Sequence, residues 1–464
     1  MFQDSYFLER FLNLSRKIIP RPVFEFFQPW YHGVLALSGA VIFGFPSRRV
    51  KVIGVTGSKG KSTTVYLLTK FLEEAEFKVA AIGSLGYKIG DREWPNDLKM
   101  TMPGRWKVQK FLSQAVKAGC RFVVLEITSE GIKQKRHLGV KFDAAVFTNL
   151  EKEHIEAHGS FEKYYQEKQK LFRAAKNIHI LNADSPYVDL FSRFPARKKV
   201  FYSLKVGQPR EHSVRSFSGI PAMPSEVVGR FASLPLGPSQ NGLRIRLPNI
   251  PAAEINVHSY LIGDFNFHNV LAAIAMSRNY GVSDETIQKA LDKIKSIPGR
   301  MEFVEAGQPF KVVVDYAHTP GSLEAVYKTL KSLKFKNSKM ICILGAAGGG
   351  RDKWKRPVFG ELAEKYCDEI ILTNEDPYDE NPEKILDDVE KRIKNVSKFK
   401  VSRIMDRREA IKKTLTSAGK GDIVVITGKG SETSIAVAKG KKIPWSDKGV
   451  IIEELNSLRA ITDN

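Results

Sequence analysis

Cysteine is scarce in this 464-residue chain: Cys120, Cys342 and Cys367 are the whole set, with no C-x-x-C pair. An odd, widely spaced trio argues against a zinc site and a disulfide framework, and for a reducing compartment. Carboxylates are also in short supply. Asp and Glu number 51 against 73 Lys and Arg, a formal charge of +22. No dense basic tail or aromatic-interleaved basic patch gathers that charge. A nucleic-acid partner is therefore disfavoured, and polyanionic small substrates or an anionic surface fit better. Internal repeats and long low-complexity tracts are missing too. What is present, 42% hydrophobic and 27% charged residues, is the composition of a soluble globular protein. The length exceeds what one core organises and calls for two or three domains.

Residues 26–47 contain no Asp, Glu, Lys or Arg, whereas Arg16, Lys17 and Arg21 precede them and Arg48, Arg49 and Lys51 follow. The run starts too late for a signal peptide, and Asp4 and Glu9 spoil a basic leader. A membrane span wants about 20 apolar residues, and Pro29 with three glycines interrupts this one. The expected structure is a helix packed on the next domain. A peripheral membrane contact through residues 26–47 and a true span stand as alternatives.

The strongest local signal is Val55-Thr56-Gly57-Ser58-Lys59-Gly60-Lys61-Ser62-Thr63-Thr64. An apolar β-type run leads into it and a helical pattern from Thr63 to Ala75 follows. Strand, glycine turn and helix together surround a phosphate chain with backbone N–H groups and the positive helix end. Lys61 is placed to neutralise β/γ-phosphates and Ser62 to ligate Mg²⁺. The spacing G-x-x-G-x-x-G-K-S-T, from Gly54, departs from the strict phosphate-loop pattern, which wants glycine at Val55.

From Lys51 onward β-rich runs alternate with amphipathic helices. Lys51–Val55, Val79–Gly83, Phe122–Ile127, Ala144–Thr148 and Ile178–Asn182 read as strands of a mostly parallel sheet with helices on both faces. Residues 204–255, with Leu243–Leu247 as a strand, read as an antiparallel extension of the same domain. A helix over Leu261–Tyr280 carries Asn266 and Asn269. A second α/β series begins after Pro298-Gly299-Arg300, with strands at Lys311–Val314, Met340–Leu344, Glu369–Leu372 and Ile423–Ile426. The domains are then 1–49, a short apolar segment; 50–298, a central ATP-binding unit; and 299–464, a Rossmann-like unit.

Two further constellations end strands, where ligands gather in open α/β sheets. Glu126 closes Phe122–Ile127 and is a candidate to hold a nucleotide's metal ion. His154 and His158 follow Ala144–Thr148, and His154 is a candidate metal ligand. The charged helix around Lys168 has nothing local to single it out.

Ten motifs occur in order: GVTGSKGKST, LEITSE, FTNLEKEHIEAHG, YYQEKQKLF, LIGDFNFHN, PGRME, VVDYAHTP, GAAGGGRDKWKRP, DRREAI and GKGSE. In that order, over roughly residues 50 to 450, the chain resembles the Mur ligase family. It is most similar to the MurE type, which joins a diamino acid to UDP-N-acetylmuramoyl-dipeptide in peptidoglycan synthesis. The resemblance implies an ATP-dependent, amide-forming ligase working through an acyl phosphate, with Mg²⁺ as cofactor, in the cytoplasm; a peripheral contact through residues 26–47 would place it at the inner face of the membrane. It implies that Gly57, Ser58, Lys59, Gly60, Lys61, Ser62 and Thr63 bind ATP phosphates. By the same resemblance Asn266 and Asn269 contact adenine or ribose, and Arg300 and Asp315 reach the nucleotide when the domains close about Ile297–Pro298. Ser62 and Glu126 hold one Mg²⁺, His154 a second, and Lys168 falls at the position carbamylated in most members. Thr101, Ser129 and Arg136 would meet the muramyl-peptide end, and Asp376, Tyr378 and Glu432 the incoming amino acid.

Three departures stand out. The family's uridine-binding domain has no full counterpart in residues 1–49. Tyr378 replaces the arginine that grips the distal carboxylate of diaminopimelate, which favours lysine-like amines, because a phenol is no bidentate cationic fork. Ser431 replaces a histidine in the last motif. A non-UDP acyl substrate, lipid-linked or polyglutamate-type, is the alternative, and a non-catalytic nucleotide-binding scaffold a more distant one.

Overall fold

The computed structural model describes residues 21–97, 100–153, 155–204, 232–235, 242–246, 254–258, 261–394 and 400–462. The expectation for His154 lies outside them, as does most of 204–255.

Eight strands build the first sheet in the order β4-β3-β2-β5-β1-β6-β7-β8. They are β1 (Lys51–Thr56), β2 (Val79–Gly83), β3 (Gly86–Ile89), β4 (Arg92–Trp94), β5 (Phe122–Glu126), β6 (Phe142–Phe147), β7 (Ile178–Asn182) and β8 (Lys198–Tyr202). Strands β2, β5, β1, β6, β7 and β8 are parallel, and β3 and β4 add an antiparallel edge. The central strands carry apolar side chains on both faces because both are covered. Val55, Val124 and Val146 join one layer with the helix Asp264–Arg278, while Val52, Val123 and Phe147 join the other. The sequence pattern located all five central strands to within two residues. It passed over β3, β4 and β8, which are short or sit at edges, where one apolar face is a weak signal.

Across residues 204–258 the described strands pair antiparallel. β9 (Ala232–Pro235), β10 (Gly242–Arg246) and β11 (Glu254–His258) form a separate three-stranded sheet. Ile255 and Val257 of β11 nonetheless enter the first domain's core.

The second large sheet runs β12-β13-β17-β14-β15-β16, from β12 (Glu302–Phe303), β13 (Lys311–Asp315), β14 (Met340–Leu344), β15 (Glu369–Leu372), β16 (Lys400–Arg403) and β17 (Ile423–Thr427). Only β12 pairs antiparallel. Cys342 on β14 and Cys367 just before β15 are disulfide-bonded, with Cα atoms 6.1 Å apart. That one bond runs against the expectation of no disulfide framework; parallel neighbours bring together cysteines that sequence spacing keeps 25 residues apart.

Arg21–Ile42 is a helix of 22 residues, packed against the helix Arg105–Lys117, where Gly39 lies against Trp106 and Gln109. Among the described residues no helix is long and apolar enough to cross a membrane.

Candidate active site

The parallel strands of the first sheet all end on one edge, and the candidate residues extend from that edge. After β1 the chain turns through Gly57 to Gly60 and enters the helix Lys61–Glu74. Gly60 has φ 76°, and a Cβ there would run into Asn269 of the helix Asp264–Arg278. A Cβ on Gly57 would run into the Thr148 hydroxyl. Glycine is thus required by close approach as well as by backbone geometry. Asn149 fixes the loop from β6: its side-chain oxygen accepts from Lys59 N at 2.8 Å, and its backbone oxygen from Ser58 N at 3.0 Å.

Two lysines converge on the carbonyl of Gly57. Lys61 Nζ donates to it at 3.0 Å and to Ser58 O at 2.8 Å, and Lys168 Nζ donates to it at 2.8 Å. Burial lowers the pKa of Lys61, with Glu126 and Glu153 opposing. Lys168 is 2% exposed, and burial, then the Lys61 charge, drives its pKa well below the ordinary lysine range. Both effects disfavour the charged ammonium form. Lys59, which lines the cavity between the domains, is paired with Glu151 at 2.5 Å, and its Nζ lies against Gly321 of the second domain.

Glu126, at the end of β5, is 2% exposed. It accepts from Ser62 Oγ at 3.1 Å, from Ser84 N at 2.8 Å and from Ser84 Oγ at 3.3 Å. Ser84 Oγ in turn meets Thr101 Oγ1 at 2.9 Å. A buried carboxylate with hydroxyl oxygens beside it is a hard donor set, and it suits Mg²⁺. Ser84 was missed by sequence reasoning. It follows β2 directly, so the end-of-strand rule that found Glu126 would have found it.

The second domain supplies the opposite wall. Arg300 stacks over the Tyr316 ring at 4.4 Å and reaches Ser62 Oγ at 3.4 Å, so the two domains already touch at the phosphate loop. Asp315, at the end of β13, accepts from Met301 N and Ala317 N, both at 2.7 Å. Burial raises its pKa, with Arg300 opposing. Its two oxygens are thus tied to the backbone that carries Arg300 and Tyr316.

A cavity of about 430 Å³ lies between the two walls. It is lined by Lys61, Ser62, Thr63, Glu126, Lys168, Asn266, Asn269, Arg300 and Asp315, and also by Thr101, Ser129 and Arg136. The Arg136 guanidinium bonds Met102 O and Gln134 Oε1, and Ser129 Oγ meets His158 Nε2 at 3.1 Å. Burial lowers the pKa of His158 to about 4.

A second cavity of about 250 Å³ adjoins the first and shares Glu130, Tyr316, His318 and Arg351 with it. Asp376, Tyr378 and Glu432 line it. Glu432, expected from the sequence to bind an amino group, already has a cation beside it. Lys429 Nζ, fully buried, bonds Glu432 Oε2 at 2.5 Å and Asp376 Oδ1 at 2.8 Å. Tyr316 OH donates to Glu432 Oε1 at 3.2 Å. Tyr378 has φ 52° and a side-chain hydrogen bond with Arg351, so this cavity does contain a guanidinium. Beside them, burial raises the Glu375 carboxyl to about 7, with Lys429 opposing.

A phosphate loop facing a second α/β domain across an acidic and cationic cleft defines a nucleotide-dependent ligase fold. Residues 55–277 match the Mur ligase middle domain, and residues 299–430 match the Mur ligase, glutamate ligase domain. This chain belongs to the Mur ligase family and is a ligase. Its relatives narrow the class further. It is 34% identical over 434 residues to the UDP-N-acetylmuramyl-tripeptide synthetase of Roseiflexus sp. (strain RS-1), covering 89% of this chain and 80% of that one. It is 36% identical to the UDP-N-acetylmuramoyl-L-alanyl-D-glutamate--2,6-diaminopimelate ligase of Aquifex aeolicus (strain VF5), covering 91% and 80%. A solved structure of a ligase with that second name superposes with a TM-score of 0.57 at 28% identity, covering 88% of this chain and 79% of that one.

Proposed function

We propose that this enzyme adds the third, diamino, residue to UDP-N-acetylmuramoyl-dipeptide at the expense of ATP. The observation that carries it is the continuous cleft from the phosphate loop, past Glu126 and Lys168, to the second cavity with Asp376, Tyr378 and Glu432. ATP phosphorylates the terminal carboxylate of the dipeptide, giving an acyl phosphate and ADP. The amine attacks that carbonyl carbon, inorganic phosphate leaves, and the nitrogen sheds a proton.

Each step asks something of this chain's own residues. Gly57 to Thr63 cradle the phosphates, and Lys61 exchanges its loop carbonyls for phosphate oxygens. Arg300 adds a second cation from the other domain, and its contact with Ser62 favours the closed arrangement that shuts water out. Asn266 and Asn269 hold the nucleoside. Thr101, Ser129 and Arg136 receive the muramyl peptide, and Asp376 and Glu432 orient the amine. Ser62 and Glu126 would hold Mg²⁺, and His154 a second ion, which would supply charge neutralisation at the transferring phosphoryl group. Lys168, whose proton burial loosens, adds in its unprotonated form to carbon dioxide, forming a carbamate and releasing a proton, which turns an amine into an oxygen donor. Arg351 beside Tyr378 offers a distal carboxylate a cation even without the arginine that Tyr378 replaces. The domain division at 49/50 and 298/299 follows from the same reading.

Phosphate release from ATP with UDP-N-acetylmuramoyl-dipeptide, testing lysine, diaminopimelate and ornithine in parallel, decides the assignment. Release that depends on one amine supports it. No release with any of them refutes the soluble UDP-linked acceptor and favours a lipid-linked or polyglutamate-type one. The enzyme works in the cytoplasm at the inner face of the membrane, a placement that the outer face of the helix Arg21–Ile42 supports.

A further inference from the structure

The helix Arg21–Ile42 buries one side and leaves the other uncovered. Ala36 and Ala40 are 1% and 0% exposed, and Ala40 lies against Gly139. Trp30, Val34, Leu37 and Val41 are 71%, 65%, 48% and 62% exposed. Their spacing of four, three and four residues puts them in one line along the helix. That line is about 17 Å long at about 1.5 Å per residue. Trp106, itself exposed, extends it sideways, donating from Nε1 to Ser38 Oγ at 3.2 Å. Soluble surfaces scatter single apolar residues; a continuous row ending in tryptophan marks a contact.

The charge around the row identifies its occupant. No Asp or Glu occurs from residue 26 to 72, from 98 to 125 or from 131 to 142. Those stretches include the helix from Phe26 onward, Glu25 being its one carboxylate, and the parts that pack beside it: the turn Pro46–Arg48, the helix Arg105–Lys117 and the segment around Lys135 to Gly139. They do contain Arg48, Arg49 and Lys141, all exposed, and Lys135 against Gly33. An apolar stripe with an amphipathic indole, bordered by cations and free of carboxylates, is the pattern of a helix lying in an anionic lipid interface. A protein partner would more often be met by charges of both signs. The row is too short and too one-sided to span.

The placement also concerns the cleft. Arg105, within electrostatic reach of Tyr31, donates from Nε to Gln134 O at 2.7 Å. Gln134 and Arg136 line the larger cavity. The helix is therefore linked, through Arg105 and Gln134, to the part of the cleft that Arg136 lines. We propose that this helix seats the enzyme on an anionic bilayer, stripe down, with the Arg136 part of the cleft beside the lipid boundary. The seating stands on the stripe and its rim; only the assignment of that part of the cleft to the acyl substrate rests on the function proposed above.

The test is co-sedimentation of the full chain with vesicles of equal parts phosphatidylglycerol and phosphatidylcholine, and with phosphatidylcholine alone. The expected result is binding to the first, at least about tenfold weaker binding to the second, and a drop of about tenfold or more for the triple variant Trp30→Gln, Leu37→Gln, Val41→Gln. ATP-dependent turnover of a soluble acceptor should be unchanged in that variant. Quenching of parental tryptophan fluorescence by brominated lipid gives a readout that needs no variant. Three results overturn the proposal: no sedimentation of the parent with anionic vesicles, a triple variant that binds like the parent, or a parental dimer that the triple variant abolishes, which would assign the stripe to a second copy. None of these readouts requires the ligase reaction, so the two proposals fail separately.

Discussion

Replacing Lys168 with alanine separates a catalytic from a structural lysine. The side chain is 2% exposed and donates to Gly57 O at 2.8 Å. Alanine removes three buried methylenes, about 2–3 kcal/mol of transfer free energy at ~0.8 kcal/mol each. Part of that returns, because a desolvated amine beside Lys61 no longer has to be accommodated. The fold should therefore survive with a net loss of about 1–2 kcal/mol. Turnover should fall far more, by roughly 10²–10³-fold, the size expected when one fixed electrostatic group is taken from a phosphoryl-transfer site. The vacated volume opens on the larger cavity, which Lys168 lines. Formate or acetate can enter it, so either should restore part of the rate if a carbamate is the working group. Stripping carbon dioxide and bicarbonate should slow the parent and leave the variant unaffected. The pH dependence has a defined sign. The unfolded lysine keeps its proton up to its ordinary 10.5, whereas the buried one gives it up at lower pH. Across that window the unfolded state binds more protons, so stability rises with pH, and Lys168→Met should flatten the rise. Parental turnover in the alanine variant, measured as amine-dependent phosphate release, would remove Lys168 from the site. A parent indifferent to bicarbonate would refute the carbamate.

Lys61→Ala should lower turnover by about 10³-fold or more while the melting temperature moves little, since the side chain bonds only loop carbonyls; retained turnover contradicts its phosphate role. Lys429→Met should leave Asp376 and Glu432 facing each other without their cation, costing about 3–5 kcal/mol in denaturant unfolding. An unchanged midpoint would show that the triad is not integral to the fold. Glu375 holds its proton to about 7 in the fold against 4.5 otherwise, so its folded state binds more protons in that interval and stability falls as pH rises through it. Glu375→Gln should abolish that slope, and a persistent slope would implicate another group.

The legible part of the site was the part written in neighbouring residues. The turn from Thr56 to Lys61 announces itself because strand, glycines and helix are contiguous, and Glu126 because an apolar strand ends in a charge. Lys168 has no such signature. Its helix, Phe161–Ala174, reads as an ordinary charged helix, and only tertiary packing reveals that this lysine points inward while Lys163 and Lys170 do not. The bond from Arg300 to Ser62 joins residues 238 apart, and only the family resemblance anticipated it. Lys429 was hidden by its own neighbour: the GKGSE motif drew attention to Glu432 as a partner for an incoming amine, while the lysine three residues earlier already holds it. The disulfide of Cys342 and Cys367 depends on which strands become parallel neighbours, and local sequence does not record that.

The most direct test follows oxygen. If UDP-N-acetylmuramoyl-dipeptide carries ¹⁸O in its terminal carboxylate, amide formation through an acyl phosphate moves one labelled oxygen into the phosphate released. Labelled phosphate, formed only when ATP and the amine are both present, is the expected result. Amide product accompanied by unlabelled phosphate would contradict the mechanism.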